Sequence, residues 1–229
     1  FKCMVPVKDM NTEIKAQIIV PEGGESAVYT YTVDKYIEYI KNDKTYASAT
    51  KLLTLVDKMS DFGDLADAYF SEAPVGEIDE VKVDEKNALY EVGRKDSVIP
   101  EKETSIYYGS SLLLESNTTL RHYFNENVKV VSVMIGNEPV ADVSGYKVNS
   151  KGSLYYIEHT GIPAHELAEY ITVVVSPVNA DGNTQNITLK YSPLTYAHIV
   201  LSRDGKVDNL TSLVRAMYEY QKAAYAYKN

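Results

Sequence analysis

The hydrophobic positions of this 229-residue chain follow two periods, and the clearer one is helical. In residues 52–69, apolar side chains recur three or four positions apart, which places them on one face of an α-helix. Residues 210–227 repeat the pattern at an offset of 158, with seven identical positions and no gap. The identical residues are Leu52, Leu55, Val56, Met59, Ala66, Ala68 and Tyr69, which meet Leu210, Leu213, Val214, Met217, Ala224, Ala226 and Tyr227. Since most of them lie on the apolar face, the repeat preserves a packing surface.

A shorter helix is predicted before each long one, at residues 33–42 and 192–202. Thr32 and Ser192 stand at natural N-cap positions, and Pro193 at the first helical position costs no hydrogen bond. Further upstream, each copy has a proline-containing turn, an alternating strand, a polar turn and a second strand. The repeated unit therefore predicts a turn, a β-hairpin and two helices, in that order.

The repeat also predicts how the chain divides into domains. Residues 1–70 are interpreted as the C-terminal part of a first repeat, with two strands and a helical hairpin. Residues 71–229 are interpreted as a complete second repeat, with a β-rich core and its own helical hairpin. This division leads us to expect that the natural protein continues upstream of Phe1, or that the chain was cut within a repeat.

The other period is that of β-strands, in which apolar and polar residues alternate. Strands are predicted at residues 12–20, 26–31, 104–115, 118–124, 128–135, 145–148, 153–159, 170–176 and 186–191, and further helices at 46–70, 84–92 and 206–228. Because the later strands follow one another without helices between them, we expect them to pair antiparallel. The predicted fold class is α+β, with an antiparallel β-sandwich-like sheet core and C-terminal antiparallel helical hairpins, occurring as an internal repeat.

Composition and charge narrow the possible partners. A net charge of −9 and a pI near 5.0 argue against nucleic acid and anionic membranes, which attract clustered Lys and Arg. No apolar run has the length of a membrane-spanning helix, so no membrane insertion is expected. A single cysteine, Cys3, excludes an intrachain disulfide. The 20 Tyr, beside no Trp and 4 Phe, offer amphipathic contact surface, but those in the helices are interpreted as residues that cap a modest core, and both interpretations stay open for those in loops.

No motif predicts catalysis, a cofactor or a metal site. His165-Glu166 resembles the start of a zinc-protease helix, but such a helix needs a second His where this chain has Glu169. The serine of Gly109-Ser110-Ser111 lacks the following glycine of a nucleophile elbow, so it is expected to open a strand. The remaining histidines lie in separate predicted elements without the spacing of a catalytic triad: His122, His159 and His198.

Several segments of the chain together resemble a known type of module. They are residues 109–115 (GSSLLLE), 118–124 (TTLRHYF), 161–167 (GIPAHEL), 191–196 (YSPLTY) and the helix at 210–227. In this combination the chain is similar to the repeat modules of large secreted or cell-wall proteins of gut Gram-positive bacteria. The resemblance covers the second unit throughout and the first from Val5 to Phe70. It implies an extracellular location and a tandem array, and it brings no catalytic residues with it. Some surface proteins of such bacteria bind host immunoglobulins through variable-domain framework surfaces, which makes this one candidate role.

Three functions remain open on the sequence. They are a non-catalytic binding or adhesion module for a host macromolecule, a carbohydrate-binding accessory module of a carbohydrate-active enzyme, and a structural spacer of a surface array. The first is preferred because the repeat keeps the apolar helix face and changes the outer one. Tyr218 and Tyr225 stand where the first copy has Ser60 and Asp67, so these two tyrosines are the predicted binding residues. The expected partner is a protein, with immunoglobulin as the leading example.

Overall fold

The computed structural model describes residues 5–19, 27–73, 96–101, 105–114, 117–179, 185–202 and 208–229. Within these ranges the chain mixes helices with antiparallel sheets, which confirms the α+β class. The helix expected at 84–92 and the polar turns of both predicted hairpins lie outside the described residues.

The N-terminal region contains one small hairpin and two α-helices. Its elements are a 3₁₀ helix (Val7–Asp9), β1 (Ile14–Gln17), β2 (Val28–Tyr31), α1 (Val33–Asn42), a second 3₁₀ helix (Lys44–Tyr46) and α2 (Thr50–Phe70). Helix α1 begins after Thr32, whose hydroxyl accepts a hydrogen bond from a backbone N–H three residues later at 3.0 Å. Helix α2 begins at Thr50 and not at the predicted residue 46. Asp43 accepts a hydrogen bond from the Thr45 N–H at 2.8 Å and thereby caps the separate 3₁₀ helix.

The middle of the chain forms two four-stranded antiparallel sheets. Their strands are β3 (Tyr107–Leu114), β4 (Thr118–Phe124), β5 (Val128–Ile135), β6 (Glu138–Pro139), β7 (Asn149–Lys151), β8 (Leu154–Thr160), β9 (Ile171–Pro177) and β10 (Ile187–Tyr191). One sheet has the strand order β10-β9-β5-β6 and the other β3-β4-β8-β7. Buried residues of both sheets belong to one continuous hydrophobic core, which includes Leu120, Ile157, Val173 and Leu189.

The prediction of a strand at residues 145–148 is wrong. Residues Val143–Gly145 form a 3₁₀ helix, because the Asp142 carboxylate accepts a hydrogen bond from the Ser144 N–H at 2.9 Å. The strand of this region, β7, starts only at Asn149. Gly152 then adopts the positive φ of 62° that the tight turn into β8 requires.

The chain ends in two helices, α3 (Pro193–Leu201) and α4 (Asn209–Lys228). Helix α3 begins where the predicted N-cap places it. The Ser192 and Thr195 side chains each accept a hydrogen bond from the other residue's backbone N–H, which forms a capping box. Asp208 and Thr211 form the same arrangement and start α4. Capping by side chains three residues apart therefore fixes the beginning of both helices.

Helix α4 contacts both α3 and α2, and its longer contact is with α2. The rings of Phe62 on α2 and Tyr220 on α4 stack with their centroids 5.7 Å apart and their planes at 25°. Ala66, Leu213 and Met217 are buried in the same core. The apolar face predicted from the periodicity is thus the face that packs, but its main helical partner belongs to the other region of the chain.

The hairpins of the two regions have the same register and different neighbours. Strands β1 and β2 pair Ile14 with Tyr31, and strands β9 and β10 pair Ile171 with Tyr191. Strand β9 also pairs with β5 along its other edge. In the described part of the chain, β1 has β2 as its sole strand partner. Two hairpins with equivalent pairing therefore lie in different surroundings.

Candidate functional site

One face of the β3-β4-β8-β7 sheet packs on the core, and the other carries polar and aromatic side chains. In β4, His122 is buried with 1% of its surface exposed, so strand alternation places Arg121 and Tyr123 on the opposite face. In β8, Tyr156 and Glu158 flank a buried isoleucine in the same way. These four outward-facing residues, Arg121, Tyr123, Tyr156 and Glu158, are called the Arg121 cluster below.

Cross-strand register holds the charged pair of this cluster together. Arg121 lies directly opposite Glu158 in the pairing of β4 with β8. The guanidinium Nε donates a hydrogen bond to Glu158 Oε1 at 2.8 Å, and Nη2 donates to the same oxygen. Its Nη1 donates to the Tyr123 hydroxyl at 3.2 Å. Charge-assisted hydrogen bonds therefore fix the arginine on two sides.

Two tyrosine rings complete the cluster. The Arg121 Cζ atom lies over the Tyr156 ring, 4.3 Å from its centroid, and 5.8 Å from the centroid of the Tyr123 ring. The two ring centroids are 5.9 Å apart. Because each side chain limits the movement of its neighbours, the cluster has little side-chain entropy left to lose when another molecule covers it.

The electrostatics of the cluster stabilise its charged arginine. Burial alone would raise the pKa of the Tyr123 hydroxyl, but hydrogen bonds from Ser111 and Arg121, together with the positive charges of Arg121 and Lys151, lower it. Burial alone would lower the pKa of Arg121, but its hydrogen bonds to Tyr123 and Glu158 raise it. The charged form of the guanidinium is thus stabilised, and the Glu158 carboxylate and the Tyr123 hydroxyl oxygen accept its hydrogen bonds. A surface that combines two aromatic rings with a paired positive and negative charge is suited to contact with another molecule.

The two binding tyrosines predicted from the sequence lie elsewhere, on α4. They are seven residues apart and so lie on the same side of the helix. Tyr218 is half-buried against the core, where burial raises its pKa, and Lys222 Nζ lies 5.3 Å from its ring centroid. Tyr225 is 57% exposed. Among the described residues no hydrogen bond or ring contact joins them to the Arg121 cluster, and their role in binding stays a prediction.

Sequence reasoning missed the Arg121 cluster, although a signal for it was present. In residues 118–124 (TTLRHYF), the outward positions Arg121 and Tyr123 lie between Leu120 and Phe124. In residues 154–160 (LYYIEHT), Tyr156 and Glu158 lie on either side of Ile157. Alternation identifies the outward residues of each strand. It does not tell which residue of one strand lies opposite which residue of the next, and this register is what brings Arg121 to Glu158.

A buried polar group lies on the inner face of the same sheet. Register pairs Ser110 with His122, and the Ser110 Oγ lies 2.6 Å from His122 Nδ1 and 2.7 Å from the Tyr107 hydroxyl. Burial lowers the pKa of His122 to about 3. Among the described residues, its Nε2 has no hydrogen-bond partner. The ring of Tyr191 packs against the imidazole with centroids 5.7 Å apart, so this enclosed, neutral histidine is a polar part of the core.

His165 lies in a 3₁₀ helix (Ala164–Glu166) and not in a helix of the zinc-protease kind. Its Nε2 is 2.9 Å from Glu166 Oε1 and 2.6 Å from Lys228 Nζ, which links this turn to the end of α4. In the ranges that the structure describes, no three His, Cys, Asp or Glu side chains are arranged to hold a metal ion.

A cavity of about 520 Å³ lies between the N-terminal region and the β-rich region. The turn residues Met10 and Leu167 line two of its sides, and the stacked pair Phe62 and Tyr220 lines another. Aliphatic and aromatic side chains make up most of the lining, so the cavity suits an apolar group.

No helix in the described part of the chain is both long and apolar enough to cross a membrane. Comparisons of the chain with protein-family models, curated proteins and solved structures give no match.

Proposed function

We propose that the chain is a non-catalytic binding module of a secreted or cell-wall protein, and that it recognises a protein partner through the Arg121 cluster. The observation that carries this proposal is the Arg121 guanidinium fixed against Tyr123, Tyr156 and Glu158 on the outward face of a four-stranded sheet. The resemblance to surface modules of gut Gram-positive bacteria makes a host macromolecule the partner class, with immunoglobulin as the first one to test.

The composition and rigidity of the cluster favour a protein partner. Tyr and Arg are among the residues that contribute most to the affinity of protein interfaces, and a tyrosine gives a large contact area at low entropic cost. Because Arg121 is already paired with Glu158, covering the cluster leaves no unpaired charge at the centre of an interface. A sugar would need a free ring face to stack on, whereas the guanidinium already lies over Tyr156. This favours protein over carbohydrate as the partner.

We propose in addition that the two hairpin–helix regions are copies of one unit, and that the two sheets stack as the layers of a sandwich. The matching hairpin registers support the repeat, and so does one backbone contact. The Val33 N–H donates to the Met10 carbonyl at 3.0 Å, and the Leu194 N–H donates to the Leu167 carbonyl at 3.2 Å. The second bond is made one residue further into its helix because Pro193 has no N–H. A tandem array of such units would present one Arg121 cluster per complete unit, which increases avidity for a repeated target.

Biolayer interferometry of the purified chain on polyclonal immunoglobulin tests the proposal. Arg121→Ala and Tyr156→Ala are each expected to weaken binding by about 1–4 kcal/mol, or roughly 5- to 1,000-fold. Arg121→Lys keeps the charge but loses the forked hydrogen bonds and the flat stacking, so it is expected to bind nearly as weakly as Arg121→Ala. Thermal melting of each variant separates lost contacts from lost folding.

Tyr225→Ala is the matched control, since it removes a tyrosine from a different surface. Unchanged affinity in this variant assigns binding to the Arg121 cluster, whereas a loss in Tyr225→Ala alone would assign it to α4. No signal at tens of micromolar would exclude immunoglobulin, and a glycan array then tests the carbohydrate alternative. Turnover of any polysaccharide would contradict the non-catalytic class.

A further inference from the structure

The β1–β2 hairpin exposes both apolar side chains and a strand edge. Its uncovered apolar residues expose between 47% and 81% of their surface: Ile18, Ile19, Val28, Tyr29 and Tyr31. Within the described ranges, no strand pairs with the outer edge of β1. An isolated two-stranded hairpin is marginally stable, and an open edge is where a further strand adds through its backbone N–H and C=O groups.

The second hairpin shows what covers this kind of edge when the sheet is larger. Strand β5 pairs antiparallel with the outer edge of β9, beginning with Ile135 opposite Ile171. The branched residues Ile171, Val173 and Val175 of β9 are then almost fully buried. Since Ile14 of β1 pairs with Tyr31 as Ile171 pairs with Tyr191, the outer edge of β1 is equivalent to the edge that β5 occupies.

We propose that β1 is a docking edge for an extended β-strand of another polypeptide, one that carries branched aliphatic residues at alternate positions, as β5 does. This inference rests on the repeat proposed above. The register of β5 on β9 would place the branched residues of the partner strand beside Ile14, Ala16 and Ile18. Lys15 points to the other face, so an acidic residue opposite it strengthens the pairing. Backbone hydrogen bonds then supply affinity, and the alternate side chains supply specificity.

A labelled synthetic peptide with the sequence of residues 127–135 (NVKVVSVMI) is the probe, and its fluorescence anisotropy with the full chain is the readout. Saturable binding is expected, and Ile18→Lys is expected to weaken it at least about tenfold, because the new charge lies beside the docking edge. Ile18 follows the last paired residue of β1, so this substitution leaves the hairpin pairs in place. Val178→Lys is the matched control, since Val178 is an exposed aliphatic residue that follows β9 and gains the same charge. The Val133 carbonyl faces β6, whereas the Gly136 N–H donates towards β9, so the Met134 N–H is the one that faces the docking edge. A peptide with Pro in place of Met134 lacks this donor and is expected not to bind.

Three results would overturn the proposal. The first is absence of peptide binding, and the second is equal binding to the wild-type chain and Ile18→Lys. The third is slow hydrogen exchange of the outward β1 amides in the free chain, which would show that another part of the same chain already covers the edge. Immunoglobulin binding by the Arg121 variants is measured in a separate experiment. Failure of the docking-edge proposal can therefore be distinguished from failure of the proposed immunoglobulin binding.

Discussion

The two β-hairpins of this chain pair their residues alike and are buried to opposite extents. Tyr31 ends the first hairpin with 47% of its surface exposed, whereas its counterpart Tyr191 is 1% exposed. Each tyrosine is followed by the N-cap residue of a helix, so the two hairpins have similar local structure at this end. The difference comes from the neighbours, since β5 extends the second hairpin and His122 of the other sheet packs on Tyr191. Local sequence builds the hairpin, and tertiary contacts determine how far it is buried.

The largest expected effect belongs to His122, which packs on the second hairpin and has no counterpart beside the first among the described residues. Its pKa is about 3 in the folded chain, against 6.5 for a free histidine. Because the unfolded state takes up the proton first, the contribution of His122 to stability is complete above pH 6.5 and declines as the pH falls towards 3. The loss is on the order of 3–5 kcal/mol over that range. Denaturant unfolding at several pH values measures it.

His122→Phe provides the control for this pH dependence, since the variant keeps a ring beside Tyr191 but cannot be protonated. The stability of the wild-type chain is expected to fall more steeply than that of His122→Phe between pH 6.5 and 3. His159 contributes a smaller slope in the same direction to both proteins, because burial also lowers its pKa. Parallel curves for the two proteins would show that His122 is not buried as a neutral group.

The next effect compares the tyrosines directly. Tyr191→Ala removes a buried ring and is expected to cost about 3–5 kcal/mol. Tyr31→Ala removes an exposed ring and is expected to change the free energy of unfolding by about 0.5 kcal/mol or less. Chemical denaturation of both variants at neutral pH gives the two values. Similar losses in the two variants would mean that the first hairpin is covered as well as the second.

The long helices give a third, smaller difference, between two methionines that lie 158 residues apart in the sequence. Met217 of α4 is fully buried, so Met217→Ala is expected to cost about 2–5 kcal/mol. Met59 of α2 is only half-buried and lines the cavity, so Met59→Ala is expected to cost about 1–2 kcal/mol. If Met59→Ala proves the more destabilising, the correspondence between α2 and α4 does not extend to their packing.

The features that depend on neighbouring residues could be predicted from the sequence. Thr32 and Ser192 are N-caps as predicted, and the apolar face that contains Phe62 and Met217 is buried, because capping and helix periodicity involve residues three or four apart. The antiparallel pairing also followed from strands that succeed one another without helices between them.

The features that depend on register between strands could not be predicted. The Arg121–Glu158 pair and the Ser110–His122 contact each join residues of different strands, and a shift of one residue would separate them. The packing of α2 on α4 was missed for a related reason, since periodicity identifies an apolar face without identifying what covers it. The side chain of Asp142 caps a 3₁₀ helix at Val143–Gly145, and the strand predicted at 145–148 starts only at Asn149.

Native-state hydrogen exchange, resolved residue by residue in the unmodified chain, is the most direct test of the claim that two hairpins with the same pairing differ through what covers them. The amides of β9 are expected to exchange only through global unfolding, because this strand is paired on both edges and its alternate side chains are buried. The amides of β1 are expected to exchange through local opening, at rates faster by about three orders of magnitude or more. Equal protection of β1 and β9 would contradict the account.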